Sequence, residues 1–230
     1  MSWLIATTNE HKVEELKAIS SPDLVSLEYL EDTSDLPEVE EDGETFAANA
    51  VLKAIHWART YDRTVVADDS GLEVDALEGA PGVHSSRFAG PEATDTDNNT
   101  TLQEELLKVP DAPRTAHYRC VIAVATPEDQ VVGEELFADL DSEADAVSPY
   151  EMQADDCQWV ESDGQRFAVL TRQGTLDGVV SDEARGTNGF GYDPYMRLPD
   201  GRHVAELEES EKNEISHRAK AFEAVQSLLA

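Results

Sequence analysis

Residues 64–71 read TVVADDSG, and the fold turns on them. The run 64–67 is short, apolar and β-branched, the composition of a buried strand. It ends in two carboxylates, a hydroxyl and a glycine: Asp68, Asp69, Ser70 and Gly71. Successive strand side chains point to opposite faces, so one aspartate is expected to face a cleft and the other to anchor a loop. Oxygen donors at the C-terminal end of a strand suit Mg²⁺, which takes one or two carboxylates together with substrate phosphates.

Upstream, 45–60 places Phe46, Ala50, Val51, Ala54 and Trp57 at helical spacing and predicts a buried helix. Residues 3–7, WLIAT, predict a strand, 8–20 a helix with Val13, Leu16 and Ile19 on one face, and 24–30 a second strand. Downstream, a loop rich in Gly and Pro runs to residue 92, followed by a helix at 96–108 and strands at 117–126 and 167–171. A three-glycine loop spans 185–194, and Ser216 opens a last helix with Phe222, Val225 and Leu229 as its apolar stripe. Strands alternating with helices indicate an α/β protein. The pairing expected near 117–126 and 167–180 adds an antiparallel element.

The 230 residues carry 17 basic and 49 acidic side chains, a net charge of −32. That balance argues against partners bound through phosphate neutralisation, so neither nucleic acid nor an anionic membrane surface is expected. Cys120 and Cys157 are the only cysteines, which excludes a disulfide scaffold. No uncharged run approaches the ~18 apolar residues of a membrane span. Residues 1–20 lack a basic-then-apolar opening, so the expected setting is cytoplasmic. Extreme acidity with six lysines predicts a salt-rich cytoplasm, as in a halophilic archaeon. Residues 128–163 hold thirteen acids and no Lys or Arg, and read as a solvated acidic insertion.

The scarce lysines are informative. Lys12, Lys53, Lys212 and Lys220 all fall within the distinctive segments, as a site for an anion would require, although helix-surface lysines give the same pattern. TTNEHK at 7–12 joins a strand to a helix, with Asn9 as a possible N-cap. A helix start offers free N–H groups to phosphate, and Thr7, Thr8, Asn9 and Lys12 add donors. NGFGYDP at 188–194 offers the rings of Phe190 and Tyr192 for stacking on a base, with Asp193 to orient a donor; a tight turn around buried aromatics is the alternative. Ser216, His217 and Arg218 at a helix start, with Lys212 upstream, suit an anion or a purine oxygen, and equally a cap. Glu38, Glu40 and Glu41 lie in an acidic run that can supply a second metal ligand or simply face solvent.

In order along the chain, TTNEHK, DLPE with EDGETFAANAVLKA, ADDSGLEVDALEGAPGVHSSRFAG, GTNGFGYDP and SEKNEISHRAKA resemble the inosine triphosphate pyrophosphatase family. The resemblance runs nearly end to end, apart from about 128–165. It implies one domain over 1–230, an α/β fold that is elongated and two-lobed around a long mixed sheet with a central cleft, and a homodimer. It implies Mg²⁺-dependent hydrolysis of ITP, dITP and XTP to the monophosphate and pyrophosphate. Carried over by position, Thr7, Thr8, Asn9, Glu10, His11 and Lys12 hold the triphosphate. Asp69 is proton acceptor and metal ligand, Ser70 touches substrate, and Lys53 lies near the phosphates. Glu38 is the second metal ligand, with Glu41 as the competing alignment. Phe190, Gly191, Tyr192, Asp193, Lys212, His217 and Arg218 form the base pocket. Ala48, His84, Met196 and Ala219 depart from the family pattern without removing any of these residues.

Overall fold

The computed structural model describes residues 2–7, 9–29, 39–131 and 135–229. Among the described residues, seven strands form one mixed sheet: β1 (Ser2–Ile5), β2 (Ser26–Tyr29), β3 (Val65–Val74), β4 (Thr115–Pro127), β5 (Cys157–Ser162), β6 (Gln165–Val180) and β7 (Met196–Arg197). Their order is β2-β1-β3-β4-β6-β5, with β7 paired to β6. β1 runs parallel to both β2 and β3, whereas β6 pairs antiparallel with β5 and β7. The described residues also form five α-helices: α1 (Glu10–Ile19), α2 (Phe46–Tyr61), α3 (Asp95–Leu107), α4 (Glu209–Ile215) and α5 (His217–Gln226). The α/β expectation therefore holds, with a mixed sheet.

The chain divides into two compact units. The first comprises 1–69, 120–174 and 218–230, and the second 70–119 and 175–217. In the first, Trp3, Leu4 and Ile5 are all buried, as a central parallel strand covered on both faces requires. Trp3 and Ile5 join Val13 and Leu16 of α1, Val66 of β3, Ile122 and Val124 of β4, and Phe222 and Val225 of α5. In the second, Leu72 and Val74 pack with Leu102 and Leu106 of α3, Tyr118, Leu176, Tyr192 and Val204.

Two expectations need correction. β3 does not end at the aspartates but continues to Val74, so Asp68, Asp69, Ser70 and Gly71 lie within the strand. DDSG reads as a turn in sequence; in the fold, cations neutralise both aspartates and Leu72 and Val74 continue the buried run. Gly71 is required there, because a Cβ would lie 2.5 Å from the Gly82 carbonyl oxygen. The acidic stretch 128–163 is not simply solvated. Leu136, Phe137 and Trp159 belong to the first unit's core, Met152 is buried, and β5 closes one edge of the sheet. Basic residues elsewhere tie its acids down: Arg59 bonds Asp163 at 2.6 Å, and Arg166 bonds Glu128 at 2.7 Å while lying 4.2 Å over the Trp159 ring.

Candidate active site

The first unit gathers ionised groups around the two aspartates of β3. Pleating sends them to different partners. Asp68 is 2% exposed and receives Lys12 at 3.1 Å and the Arg218 guanidinium at 3.0 and 3.2 Å. Arg218 also bonds Glu15, which α1 places three residues after Lys12 and therefore on the same helix face. Charge alternates through this group: Lys12, Asp68, Arg218, Glu15. Burial pushes the Asp68 carboxyl up, but Lys12 and Arg218 outweigh it and hold it far below the usual carboxylate range. Cys120, whose Sγ lies 3.9 Å from Asp68, is pushed up by burial and by that carboxylate, so it stays a neutral thiol.

Asp69 faces α2. Thr45 caps this helix by accepting from the Ala48 N–H at 3.1 Å, and Asn49 and Lys53 follow four residues apart on one face. Lys53 Nζ donates to Asp69 at 2.8 Å and to Glu41 at 2.9 Å. Asn49 donates to Asp69 at 3.4 Å and accepts from the Gly43 N–H at 2.9 Å. Burial drives the Asp69 carboxyl above its ordinary value despite the opposing pull of Lys53 and Lys12. Burial lowers the Lys53 ammonium, yet Asp69 and Glu41 raise it further, so it remains charged. The neighbouring carboxylates thus sit in opposed environments: the paired cations prevail at Asp68, and burial prevails at Asp69.

The second unit builds a less charged cluster on the 188–194 loop. Asp193, 3% exposed, accepts from Lys212 at 2.8 Å, from the Tyr118 hydroxyl at 2.9 Å and from the Phe190 N–H at 3.1 Å. The Lys212 ammonium lies 4.6 Å from the centroid of the half-buried Phe190 ring. Gly191 is clamped by α3: its N–H donates to Asp95 at 2.6 Å and its carbonyl accepts from Asn99 at 2.8 Å. His217 stacks on Tyr118, with ring centroids 4.9 Å apart and planes 15° apart.

Against the residues expected from sequence, the outcome is uneven. Lys12, Lys53 and Asp69 lie in the first cluster, and Phe190, Gly191, Asp193, Lys212 and His217 in the second. Ser70 is half-buried on β3, while Glu10 and His11 are exposed. Thr8 and Glu38 lie outside the described residues, and the acid observed beside Asp69 is Glu41. Asn9 caps α1 by accepting from the N–H groups of His11 and Lys12, with Thr7 accepting from the Asn9 N–H, so the cap occupies donors that were expected to face phosphate. Tyr192 is a core residue, 4% exposed with its hydroxyl bonded to the Ser85 carbonyl, and presents no ring for stacking. Arg218 is 1% exposed and engaged with Asp68 and Glu15, which replaces its expected role as a base reader. Sequence reading missed Glu15, Asn49, Asp95, Asn99 and Tyr118. Glu15 and Asn49 did carry a signal, a helical spacing of three or four from Lys12 and Lys53.

Fold and site together define a class: a mixed α/β protein whose sheet carries buried aspartates paired with lysine and arginine cations. More narrowly, the chain belongs to the Ham1 family, whose model matches residues 3–138 and 151–228. It is 42% identical to the dITP/XTP pyrophosphatase of Geobacillus kaustophilus, over 95% of this chain and 89% of that protein. It is 38% identical to the dITP/XTP pyrophosphatase of Bacillus licheniformis, over 98% and 96%. Among solved structures, a HAM1 protein from Coxiella burnetii matches with a TM-score of 0.74 at 33% identity, covering 100% of this chain and 98% of that one. The Staphylococcus aureus Ham1 protein matches with a TM-score of 0.72 at 32% identity and the same coverage. The family resemblance is borne out; the halophilic archaeal source is not, these relatives being bacterial.

Proposed function

We propose that this chain is a hydrolase of non-standard purine nucleoside triphosphates, cleaving dITP, XTP and ITP to the monophosphate and pyrophosphate. The observation that carries the reading is Lys53 Nζ bridging Asp69 and Glu41 at 2.8 and 2.9 Å, an ammonium set between two carboxylates. The names of the relatives supply the substrate class.

The donor set fits a hard divalent cation. Asp69 and Glu41 offer oxygen only, and both converge on one cation, the Lys53 ammonium. Two carboxylates completed by phosphate oxygens and water is the mode Mg²⁺ favours. When bound, Mg²⁺ supplies charge neutralisation on the phosphate oxygens. Asp69 then takes the proton of the attacking water, Lys53 holds Asp69 in place and adds positive charge for the phosphates, and Asp68 stays ionised to hold Lys12 and Arg218. Lys12 and Ser70 contact the triphosphate, while Asn9 and Thr7 hold the start of α1 that carries Lys12. Phe190, with Lys212 over its ring, gives the purine an aromatic face, while Gly191, Asp193 and His217 shape the surroundings. The same reading includes a homodimer in the cytoplasm and no nucleic-acid partner. No described helix is long and apolar enough to cross a membrane.

Pyrophosphate release from dITP, XTP, ITP, GTP and ATP, with and without Mg²⁺, tests the proposal. Turnover of the first three well above GTP and ATP, and only with the cation, is expected. Equal rates on all five, or none on any, would overturn it. Sedimentation of the purified protein decides the dimer.

A further inference from the structure

We infer that Tyr150 is a positioning residue for the carboxylate site of the first unit, acting through Asp42 from a stretch that the family model passes over. This rests on the reading of Asp69 and Glu41 given above. The family model omits 139–150, and Tyr150 ends that gap. Its hydroxyl donates to Asp42 Oδ1 at 2.8 Å, across 108 residues of sequence.

The contact matters because of what Asp42 adjoins. Three consecutive residues are each held by a different side chain: Glu41 by Lys53, Asp42 by Tyr150 and Gly43 by Asn49. Lys53 and Asn49 also bond Asp69, so they tie the segment to the site from within. Tyr150 holds it at Asp42, an exposed residue, and so from the solvent side. Asp42 adds a second negative charge next to Glu41, where a polyanion would be repelled if that carboxylate turned toward it. A phenol fixes the direction of the carboxylate without cancelling its charge.

The arm carrying Tyr150 is built to hold a position. Residues Pro149–Glu151 form a 3-10 turn in which Pro149 is buried. The Ser148 side chain accepts from the Tyr150 N–H at 3.4 Å, and Glu151 bonds back to the Ser148 N–H at 2.9 Å. Val147 pairs with β5, donating to the Trp159 carbonyl and accepting from the Glu161 N–H, both at 2.9 Å. The turn packs against α2, the helix that carries Asn49 and Lys53. All these residues belong to the first unit.

The test compares wild type, Tyr150→Phe and Asp42→Asn by three measurements: amide hydrogen exchange, Mn²⁺ affinity by electron paramagnetic resonance without nucleotide, and dITP kinetics. Tyr150→Phe is expected to speed exchange across 41–44 only. It should weaken Mn²⁺ binding and raise KM about fivefold, below the roughly 10–100-fold cost of losing a group that touches a metal ligand directly. The melting temperature should hold. Asp42→Asn keeps an acceptor oxygen for the phenol and should exchange like wild type. Unchanged exchange and Mn²⁺ affinity in Tyr150→Phe would overturn the inference, as would faster exchange throughout the unit with a lower melting temperature. If wild type itself releases no pyrophosphate from dITP, the functional reading fails; the exchange comparison still reports on the brace.

Discussion

Asp68 in the first unit and Asp193 in the second are both almost wholly buried, at 2% and 3% exposure, yet they are satisfied by different means. Asp68 takes two cations, and one of these, Arg218, is shared with a second buried acid, Glu15. Asp193 takes one cation, Lys212, and completes its shell with a phenol and a backbone N–H. A buried charge is tolerable only when paired and hydrogen-bonded, and both sites meet that condition. The first does so through a chain of full charges, in which removing one member strands others. The second relies mainly on neutral donors, so a substitution there stays local.

The sharpest break in the comparison is Arg218→Ala. It removes one of the two cations bonded to Asp68 and the cation bonded to Glu15, and breaking a buried pair costs about 3–5 kcal/mol. Urea unfolding should show a loss of that size, and Arg218→Lys should restore only part of it because lysine lacks the fork. A loss below about 1 kcal/mol would mean that the network is not coupled.

Asp69→Asn comes next. Asparagine keeps the shape and an acceptor for Lys53, so the fold should survive while turnover falls by roughly 10²–10⁴-fold, the usual worth of a positioned base. Steady-state pyrophosphate release, with circular dichroism as the fold control, checks it; a near-normal rate would take Asp69 out of the chemistry.

In the second unit, Asp193→Asn should cost less, about 1.5–3 kcal/mol, the range for a hydrogen bond to a charged group. With the amide oxygen in the place of Oδ2, Lys212 and the Phe190 N–H keep an acceptor, Lys212 loses its counter-charge, and the Tyr118 hydroxyl turns to accept from the amide. If this variant proves as costly as Arg218→Ala in the same urea titration, the contrast between the units collapses.

The smallest effect belongs to the surface of the second unit. His117 bonds Asp177 at 2.8 Å and lies 3.4 Å from Asp75, and the Asp177 bond, opposed by slight burial, raises its pKa. A raised folded-state pKa stabilises fully below the unfolded value of about 6.5 and is lost as pH rises through the folded value. All three groups are substantially exposed, so the gain should stay under about 1 kcal/mol. His117→Gln should therefore lower stability slightly at pH 5.5 and leave it unchanged at pH 9, as melting temperatures at the two values will show.

Much of the fold was legible because its signals are local. The apolar run 3–5 and the spacing of Phe46, Ala50, Val51, Ala54 and Trp57 mark their elements by burial period alone. The misreadings fall where charge and burial coincide. DDSG looks like a strand end because unpaired aspartates cannot sit inside a sheet, and the cations that let them do so come from residues 12, 53 and 218. The acid-rich text of 128–163 hides Phe137, Met152 and Trp159, whose burial depends on strands elsewhere in the chain.

The sequence by itself determined the α/β class, the acidity and the family, because composition, period and ordered motifs are properties of the chain as text. It also identified Lys53, Asp69, Phe190, Asp193 and Lys212 as residues of interest. Only the tertiary structure decided their partners. Arg218 turned from a base reader into the counter-ion of Asp68 and Glu15, Tyr192 became core, and Glu41 emerged as the acid sharing Lys53. The physical reason is that an ionised or aromatic side chain takes its role from whatever stands within a few ångströms of it, and here those neighbours lie far away along the chain: Arg218 is 150 residues from Asp68 and 203 from Glu15.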